Sequence, residues 1–136
     1  MGEGLVTLRS PTDAQATLAR LLAEISSRGL TVFGTVDHVV AAQAVGLEMN
    51  PATVVAFGSP KSGTPLMRLA PTLAIDLPLK ALVWDDDAGA TWLTYNAPAW
   101  LAHRHALGPG AGRLITGMAE ALAAIAGATV GTEAST

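Results

Sequence analysis

One stretch of the chain, residues 53–84, restricts the fold more than any other because it places two apolar runs on either side of a segment rich in glycine and proline. Its sequence is TVVAFGSPKSGTPLMRLAPTLAIDLPLKALVW. The continuous apolar run at 53–57 is typical of a strand covered by helices. Residues 58–63 predict a loop, and Thr64 followed by Pro65 predicts a helix start, since Thr is a favoured N-cap and Pro suits the first helical position. A second strand is expected from Lys80.

The flanking segments complete an α+β pattern. Ser10 and Pro11 predict the start of a first helix, which ends at Arg28 and Gly29, and a strand at 30–36 and a short helix at 39–45 follow. A hairpin at 80–96 and a helix at 97–107 come next. A final helix is expected where apolar residues recur at Ile115, Met118, Leu122 and Ile125. We therefore expect one domain at 1–128, a two-layer α+β fold with helices packed on a small mixed β-sheet, and a frayed tail at 129–136.

The hairpin fixes which side chains share a face. With residues 86–89 as a four-residue loop, Lys80 lies opposite Tyr95, and both belong to one face with Trp84. This register makes Lys80 and Tyr95 candidate neighbours in a ligand site.

Composition points to self-association. Half of the 136 residues are hydrophobic, 14% are charged and the mean hydropathy is +0.40. No uninterrupted apolar run approaches the ~18–20 residues of a membrane helix, so no membrane span is expected. The surplus apolar surface then favours a subunit interface, and we expect a homodimer.

Composition also narrows the function. The net charge of −3 with no basic stripe argues against nucleic acid as a partner. The absence of cysteine excludes disulfides, thiolate chemistry and Cys-based metal sites, and we expect neither a metal nor a cofactor. The N-terminal sequence MGEGLVTLRS has no signal-peptide pattern, so a cytoplasmic location is expected.

The segment at 58–63 has the G-x-x-x-x-G spacing of a phosphate-binding loop. An NTPase is nevertheless rejected, because Thr64 stands where that motif needs lysine and Pro60 removes a backbone N–H. A simpler anion site, with Lys61 beside a helix start, remains open. The alternative is a tight turn with a solvated Lys61.

Three motifs in this stretch are GSPK at 58–61, TPLM at 64–67 and DLPLK at 76–80. They resemble the signature of the bacterial "domain of unknown function 302" family, and the resemblance extends over about residues 33–107. It implies the family's α+β fold and a homodimer, but no function. Lysine at position 61 is part of the family pattern, whereas asparagine is usual where this chain has Ser59. Ser59 keeps an oxygen but lacks the amide donors.

The histidines allow two interpretations each. Asp37 and His38 match the family and suggest acid–base work, but Asp37 is also a favoured N-cap for the short helix that follows. His103 and His105 are two apart and diverge on a helix, which favours a solvated or lightly packed helix face over a metal site. Of the two, His105 is the stronger candidate because the family often has a histidine there. The three consecutive carboxylates at 85–87 could bind a metal or act as acids, but aspartate is common in turns, so a solvated hairpin tip is favoured.

Three functional hypotheses follow. The first is a homodimeric domain that binds a small molecule, partly anionic and partly apolar, through Ser59, Lys61, Thr64, Lys80 and Tyr95. The second is an enzyme that uses Lys61 or Lys80 as a base or Schiff-base nucleophile, with His38 or Tyr95 moving protons. The third is an interaction module without a ligand.

Overall fold

A computed structural model describes residues 2–131 of the chain. Within them the strands are β1 (Leu5–Ser10), β2 (Thr31–Asp37), β3 (Ala52–Gly58), β4 (Leu79–Asp85) and β5 (Thr91–Asn96). The α-helices are α1 (Ala14–Ser27), α2 (His38–Gln43), α3 (Pro60–Leu69), α4 (Pro98–Arg104) and α5 (Gly112–Val130). Short 3₁₀ helices at Pro71–Ile75 and Pro109–Ala111 follow α3 and precede α5.

The five strands form one sheet in the order β1-β5-β4-β3-β2, and every neighbouring pair is antiparallel. The expected α+β class, with helices packed on a sheet in a single domain, is confirmed. The expected mixed sheet is wrong. β1 and β2 do run in the same direction, but they occupy opposite edges, because the β3–β5 meander fills the space between them.

The core lies between one face of the sheet and helices α1 and α5. Phe57 of β3 and Leu93 of β5 are buried against Leu21 of α1 and Ile125 of α5. A second buried cluster, which includes Leu66 of α3, joins α3, α4 and α5 beyond the main core. The opposite face of the sheet carries the partly exposed Trp84 and Trp92, so the sheet is covered mainly from one side.

The hairpin register differs by one residue from the expected one. Tyr95 pairs with Ala81 rather than Lys80, and Asp85 pairs with Thr91. The loop therefore spans five residues, 86–90, and the backbone N–H of Asp86 donates to the Ala90 carbonyl at 2.9 Å. Since side chains alternate along a strand, this single residue moves Tyr95 to the core face and leaves Lys80 on the other.

Helix α1 begins three residues later than the sequence suggests. Asp13 is the N-cap, and its Oδ1 accepts the backbone N–H of Ala16 at 2.8 Å. The Ser10 hydroxyl is instead buried in a 2.6 Å hydrogen bond with Thr17 Oγ1, which ties the end of β1 to α1. The helix ends as expected, with Arg28 at the C-cap and Gly29 at φ +72°.

Helix α5 continues through Val130, and Gly131 caps it in the left-handed conformation. Thr129 and Val130, the first two residues of the predicted tail, belong to this helix and are buried. Residues 132–136 of that tail lie outside the described residues. Together with the preceding 3₁₀ turn, α5 is long and apolar enough to cross a membrane. This is weak evidence, because core helices have the same composition, and α5 packs on α1.

Candidate functional site

A cavity of about 560 Å³ opens between α3, α5 and the ends of β3 and β4. Its size falls within the range of small-molecule sites. Most of the wall is apolar, and the large apolar side chains that line it are Leu30, Phe33, Phe57, Met67, Leu77, Leu79, Leu114, Met118, Leu122 and Ile125. The cis peptide bond between Leu77 and Pro78 lies at the same wall.

A few polar groups interrupt this apolar wall. Ser59, Ser62 and Thr64 contribute hydroxyl groups from α3 and its N-cap, and Arg113 contributes a guanidinium from the first turn of α5. Within residues 2–131, no acidic side chain lines the cavity, so its only formal charge is positive. Such a wall suits a ligand that combines an apolar body with one anionic group.

The predicted loop at 58–63 is largely the first turn of α3. The helix has Ser59 at its N-cap and Pro60 at its first position, and the backbone N–H of Gly63 donates to the Ser59 carbonyl at 3.0 Å. Thr64, expected as the N-cap, therefore lies inside the helix, with Pro65 after it. Both Ser-Pro and Thr-Pro fit a helix start, and the chain uses the earlier one.

Gly117, in the second turn of α5, lines the cavity and has no side chain to fill it. A Cβ built on Gly117 meets no atom within 4 Å. Glycine inside a helix costs about 1 kcal/mol relative to alanine. The chain therefore has a destabilising residue at a position where a larger side chain would have room.

The two lysines lie outside the cavity wall. Lys61 is exposed on α3, and Lys80 is exposed on β4 with its Nζ donating to the Pro78 carbonyl at 3.1 Å. The wall reaches their sequence neighbours Ser62 and Leu79 instead. The cavity thus includes Ser59 and Thr64 among the predicted ligand-binding residues, but not Lys61 or Lys80.

Tyr95 belongs to the core and not to the cavity. It is 8% exposed and packs with the residues between the sheet and the helices. Burial raises the pKa of its phenol above the usual 10.0. The register places it on the opposite side of the sheet from Lys80, so these two candidates do not form one site.

Asp37 is the N-cap of α2, which is the structural role expected for it as an alternative to acid–base chemistry. Its Oδ1 accepts the backbone N–H groups of Val39 and Val40 at 2.9 and 3.2 Å. His38 occupies the first turn of α2 and is exposed. The pair does not meet as a catalytic dyad, because the carboxylate is directed to the helix backbone.

His105 anchors a hydrogen-bonded cluster between α4 and the 3₁₀ turn after α3. Its Nε2 contacts Oδ2 of Asp76, and its Nδ1 lies 2.9 Å from the Thr72 hydroxyl. Arg104 NH1 lies 2.9 Å from both Asp76 oxygens and is also placed over the Trp100 ring. Of the two histidines on the expected solvated or lightly packed helix face, His105 is packed, with its side chain largely buried, and His103 is exposed.

The carboxylates of the hairpin tip hold the tip together. Asp86 Oδ1 accepts the backbone N–H groups of Ala88 and Ala90, and its Oδ2 accepts the indole N–H of Trp92. The bond from Trp92, followed by that from Ala90, lowers the pKa of Asp86 below 3.8. This agrees with the expectation that the acidic run is turn chemistry.

Sequence reasoning missed the part of the site that α5 provides. Arg113, Gly117 and Met118 all line the cavity, yet α5 reads as an ordinary apolar helix. The one available signal was Arg113 and Gly117 at a spacing of four, which puts a cation and a gap on one helix face.

Comparison with known proteins places the chain in a family. A family model described as "Domain of unknown function DUF302" matches residues 6–125. The crystal structure of an uncharacterized conserved DUF302 protein from Bacillus stearothermophilus has a TM-score of 0.83, covers 94% of this chain and 99% of its own, and is 19% identical, so the likeness concerns the fold.

Curated relatives have a different name. Proteins of Brucella suis biovar 1 and Brucella abortus biovar 1, both named "Fluoride-specific ion channel FluC 1", are 46% identical over 105 residues, which is 77% of this chain. The match covers 41% and 39% of their lengths, so the chain spans about two fifths of these relatives. The resemblance recognised from the GSPK, TPLM and DLPLK motifs is confirmed, and the chain belongs to the DUF302 family of domains of unknown function.

Proposed function

We propose that the domain binds a small molecule with an apolar body and one anionic group in the cavity between α3 and α5. The observation that supports this most is the wall itself, about 560 Å³ of mostly apolar lining with Arg113 as its charged group. A medium-chain carboxylate such as decanoate represents this class. Its chain would replace water along Met67 and Met118, and its carboxylate would pair with Arg113.

The polar side of the cavity suits the same ligand. The Ser59, Ser62 and Thr64 hydroxyls can each donate to a carboxylate oxygen, while Arg113 supplies charge at the opposite helix. Arg113 is exposed, so its contribution comes at the rim, where an ion pair is worth up to about 1 kcal/mol. Most of the binding free energy is therefore expected from the apolar body.

The test is calorimetric titration of decanoate into wild-type protein and two variants. Gly117→Leu adds a large side chain at a residue of the cavity wall, whereas Gly117→Ala adds only a methyl group at the same position. We expect binding by the wild type and by Gly117→Ala, and a loss of at least roughly tenfold in affinity for Gly117→Leu. Equal binding by all three proteins would remove the cavity as the site.

A second candidate function comes from the curated relatives. Proteins named as fluoride channels contain a region 46% identical to this chain together with a longer remainder. We propose that the domain acts beside such a channel. Fluoride itself does not suit the cavity, because a mostly apolar wall of this size cannot replace the hydrogen bonds of a strongly hydrated ion.

Fluoride efflux from vesicles that contain a fluoride channel, measured with and without the purified domain, tests this second candidate. A change in efflux rate that Gly117→Leu abolishes would connect the channel to the cavity. An unchanged rate, with no co-sedimentation of the domain with the vesicles, would reject it. A cytoplasmic location is part of our proposal for the free domain and is checked by fractionating cells that express it.

Lysine chemistry at Lys61 or Lys80 remains a separate hypothesis. Both amines are exposed, and Lys80 already donates to a carbonyl, so neither lies in the enclosed apolar pocket that activates a nucleophilic lysine. Borohydride trapping of a carbonyl compound on either lysine would support an enzyme. Trapping that is equal in Lys61→Ala, Lys80→Ala and the wild type would reject it.

A further inference from the structure

A hydroxyl, an imidazole and a carboxylate contact one another in succession beside α4. The Thr72 hydroxyl lies 2.9 Å from Nδ1 of His105, and Nε2 of the same ring contacts Oδ2 of Asp76. Thr72 belongs to the 3₁₀ turn after α3, Asp76 is the C-cap of that turn, and His105 is the C-cap of α4. The fold thus brings His105 to two groups that precede it by 33 and 29 residues.

Burial increases from the hydroxyl to the groups behind it. Thr72 is exposed, whereas the side chains of His105 and Asp76 are 6% and 15% exposed. The hydroxyl is therefore open to a substrate, while the imidazole and the carboxylate are largely shielded from water. An activated nucleophile has this arrangement, with a base within hydrogen-bond reach of the hydroxyl and a third group that orients the base.

Asp76 is held from a second side, which fixes its orientation toward the imidazole. NH1 of Arg104 lies 2.9 Å from both carboxylate oxygens, and the Arg104 guanidinium is itself placed over the Trp100 ring. Because a carboxylate only accepts hydrogen bonds, the ring proton of His105 belongs on Nε2. Nδ1 then carries no proton and can accept one from the Thr72 hydroxyl. Asp76 and Arg104 are positioning residues in this arrangement.

We propose that Thr72 is a nucleophile for acyl transfer from esters and that His105 is its base. Oγ1 of Thr72 forms a bond to the ester carbonyl carbon while its proton passes to Nδ1 of His105. As the bond between that carbon and the leaving alcohol oxygen breaks, His105 gives the proton to this oxygen. The acyl group stays on Thr72 until water, activated by His105 in the same way, removes it as a carboxylic acid.

The surface beside Thr72 suits an ester with an apolar acyl group. Residues three apart lie on the same face of a 3₁₀ turn, which places Ile75 next to Thr72. Ile75 is 73% exposed, so an acyl chain that covers it removes apolar surface from water. We therefore expect p-nitrophenyl butyrate to acylate Thr72 faster than p-nitrophenyl acetate does. All three members of the site lie outside the cavity wall, so this activity does not depend on decanoate binding.

Labelling with a fluorophosphonate tests the nucleophile, because an activated hydroxyl displaces fluoride from this probe and keeps a stable phosphonyl ester. We expect peptide mass spectrometry to find the adduct at position 72 in the wild type and in Thr72→Ser. Thr72→Val keeps the shape of the side chain and should lose the adduct. Thr35→Val removes a different exposed hydroxyl and should keep it. A wild type without the adduct, or equal labelling of Thr72→Val, would overturn the proposal.

The base is tested by removing the imidazole and supplying it again from solution. His105→Ala should react with the fluorophosphonate about 10²–10⁴-fold more slowly, the usual contribution of a general base. Added imidazole should restore part of the rate in a saturable manner, which a purely structural role of His105 would not produce. An unchanged rate in His105→Ala, or no response to imidazole in the folded variant, would remove His105 as the base.

The position of the ring proton can be measured in the wild type itself. In protein labelled with ¹⁵N at histidine, we expect His105 to give the signals of a neutral ring with its proton on Nε2. Asp76→Asn should weaken this preference, because an amide can donate as well as accept. A proton on Nδ1 at the pH of the labelling reaction, alone or together with one on Nε2, would leave no base facing Thr72 and would overturn the proposal.

Discussion

The indole N–H of Trp92 donates a 2.9 Å hydrogen bond to Oδ2 of Asp86, and this bond ties the hairpin tip to the open face of the sheet. Trp92 in turn stacks with Trp84 at a centroid distance of 6.3 Å and lies under the Arg9 guanidinium. The Asp86 carboxylate thus fixes the position of Trp92, which contacts both Trp84 and Arg9 on the outer face of the sheet.

Asp86 should give the protein a specific loss of stability in acid. Its pKa is lowered in the folded chain, first by the Trp92 bond, so the unfolded chain takes up the proton first as pH falls. The stability it contributes is present above about pH 4 and is lost as pH falls through the folded pKa. Asp86→Asn should reduce the slope of unfolding free energy against pH in this range. Asp87→Asn is the control, and equal slopes in the two variants would contradict the assignment.

Tyr95 should have the corresponding effect in alkali. Burial raises its pKa, so the folded chain keeps the phenol proton at pH values where the unfolded chain has lost it. Stability therefore falls as pH rises from about 10 through the folded pKa. Tyr95→Phe should remove this decline without changing stability at neutral pH. Urea unfolding at several alkaline pH values measures it, and an unchanged decline would assign it to other groups.

The same substitution should have opposite effects at two glycines. A Cβ on Gly4, whose φ is +78°, would lie 2.3 Å from Cγ of Trp100, so Gly4→Ala should destabilise the protein by at least about 1–3 kcal/mol. Gly117→Ala meets open space in a helix and should stabilise it by about 0.5–1 kcal/mol. Thermal unfolding of both variants measures this. Destabilisation by Gly117→Ala would contradict the open space at α5.

Asp76 should matter more to stability than its position outside the core suggests. It accepts from Arg104 and contacts Nε2 of the largely buried His105, and Asp76→Ala leaves this ring nitrogen and the Arg104 guanidinium without that carboxylate. Leaving such groups unpaired costs about 1–3 kcal/mol. Asp87→Ala, which removes a single exposed bond from Asn50, should cost less than about 0.5 kcal/mol. Equal costs in chemical denaturation would show that the His105 cluster contributes nothing.

The sequence motifs predict the fold class and one wall of the site. GSPK and TPLM do lie on the cavity side of the fold, since Ser59 and Thr64 both line it. The start of α3 was ambiguous because Ser59-Pro60 and Thr64-Pro65 have the same local preferences. With the earlier start, Gly63 lies inside the helix and is buried by packing. A local sequence pattern contains no information about such packing.

The pairing of Lys80 with Tyr95 failed because side-chain hydrogen bonds within the hairpin set the length of its loop. Asp86 accepts two loop N–H groups and the Trp92 indole, and together these bonds hold a five-residue loop where turn statistics favour shorter ones. One extra residue reverses the facing of the whole strand. The role of α5 was hidden for another reason. The helix is apolar on several sides, so its pattern does not distinguish a face in the core from a face on a cavity.

The methionine methyl groups provide the most direct test of the cavity as a binding site. Met67 and Met118 line it, whereas Met49 lies beside a separate groove next to the hairpin. In protein labelled with ¹³C at the methionine methyl groups, we predict that decanoate shifts the Met67 and Met118 signals in a saturable manner and leaves Met49 in place. If Met67 and Met118 do not respond, or only Met49 does, the cavity is not the ligand site and the proposed function is wrong.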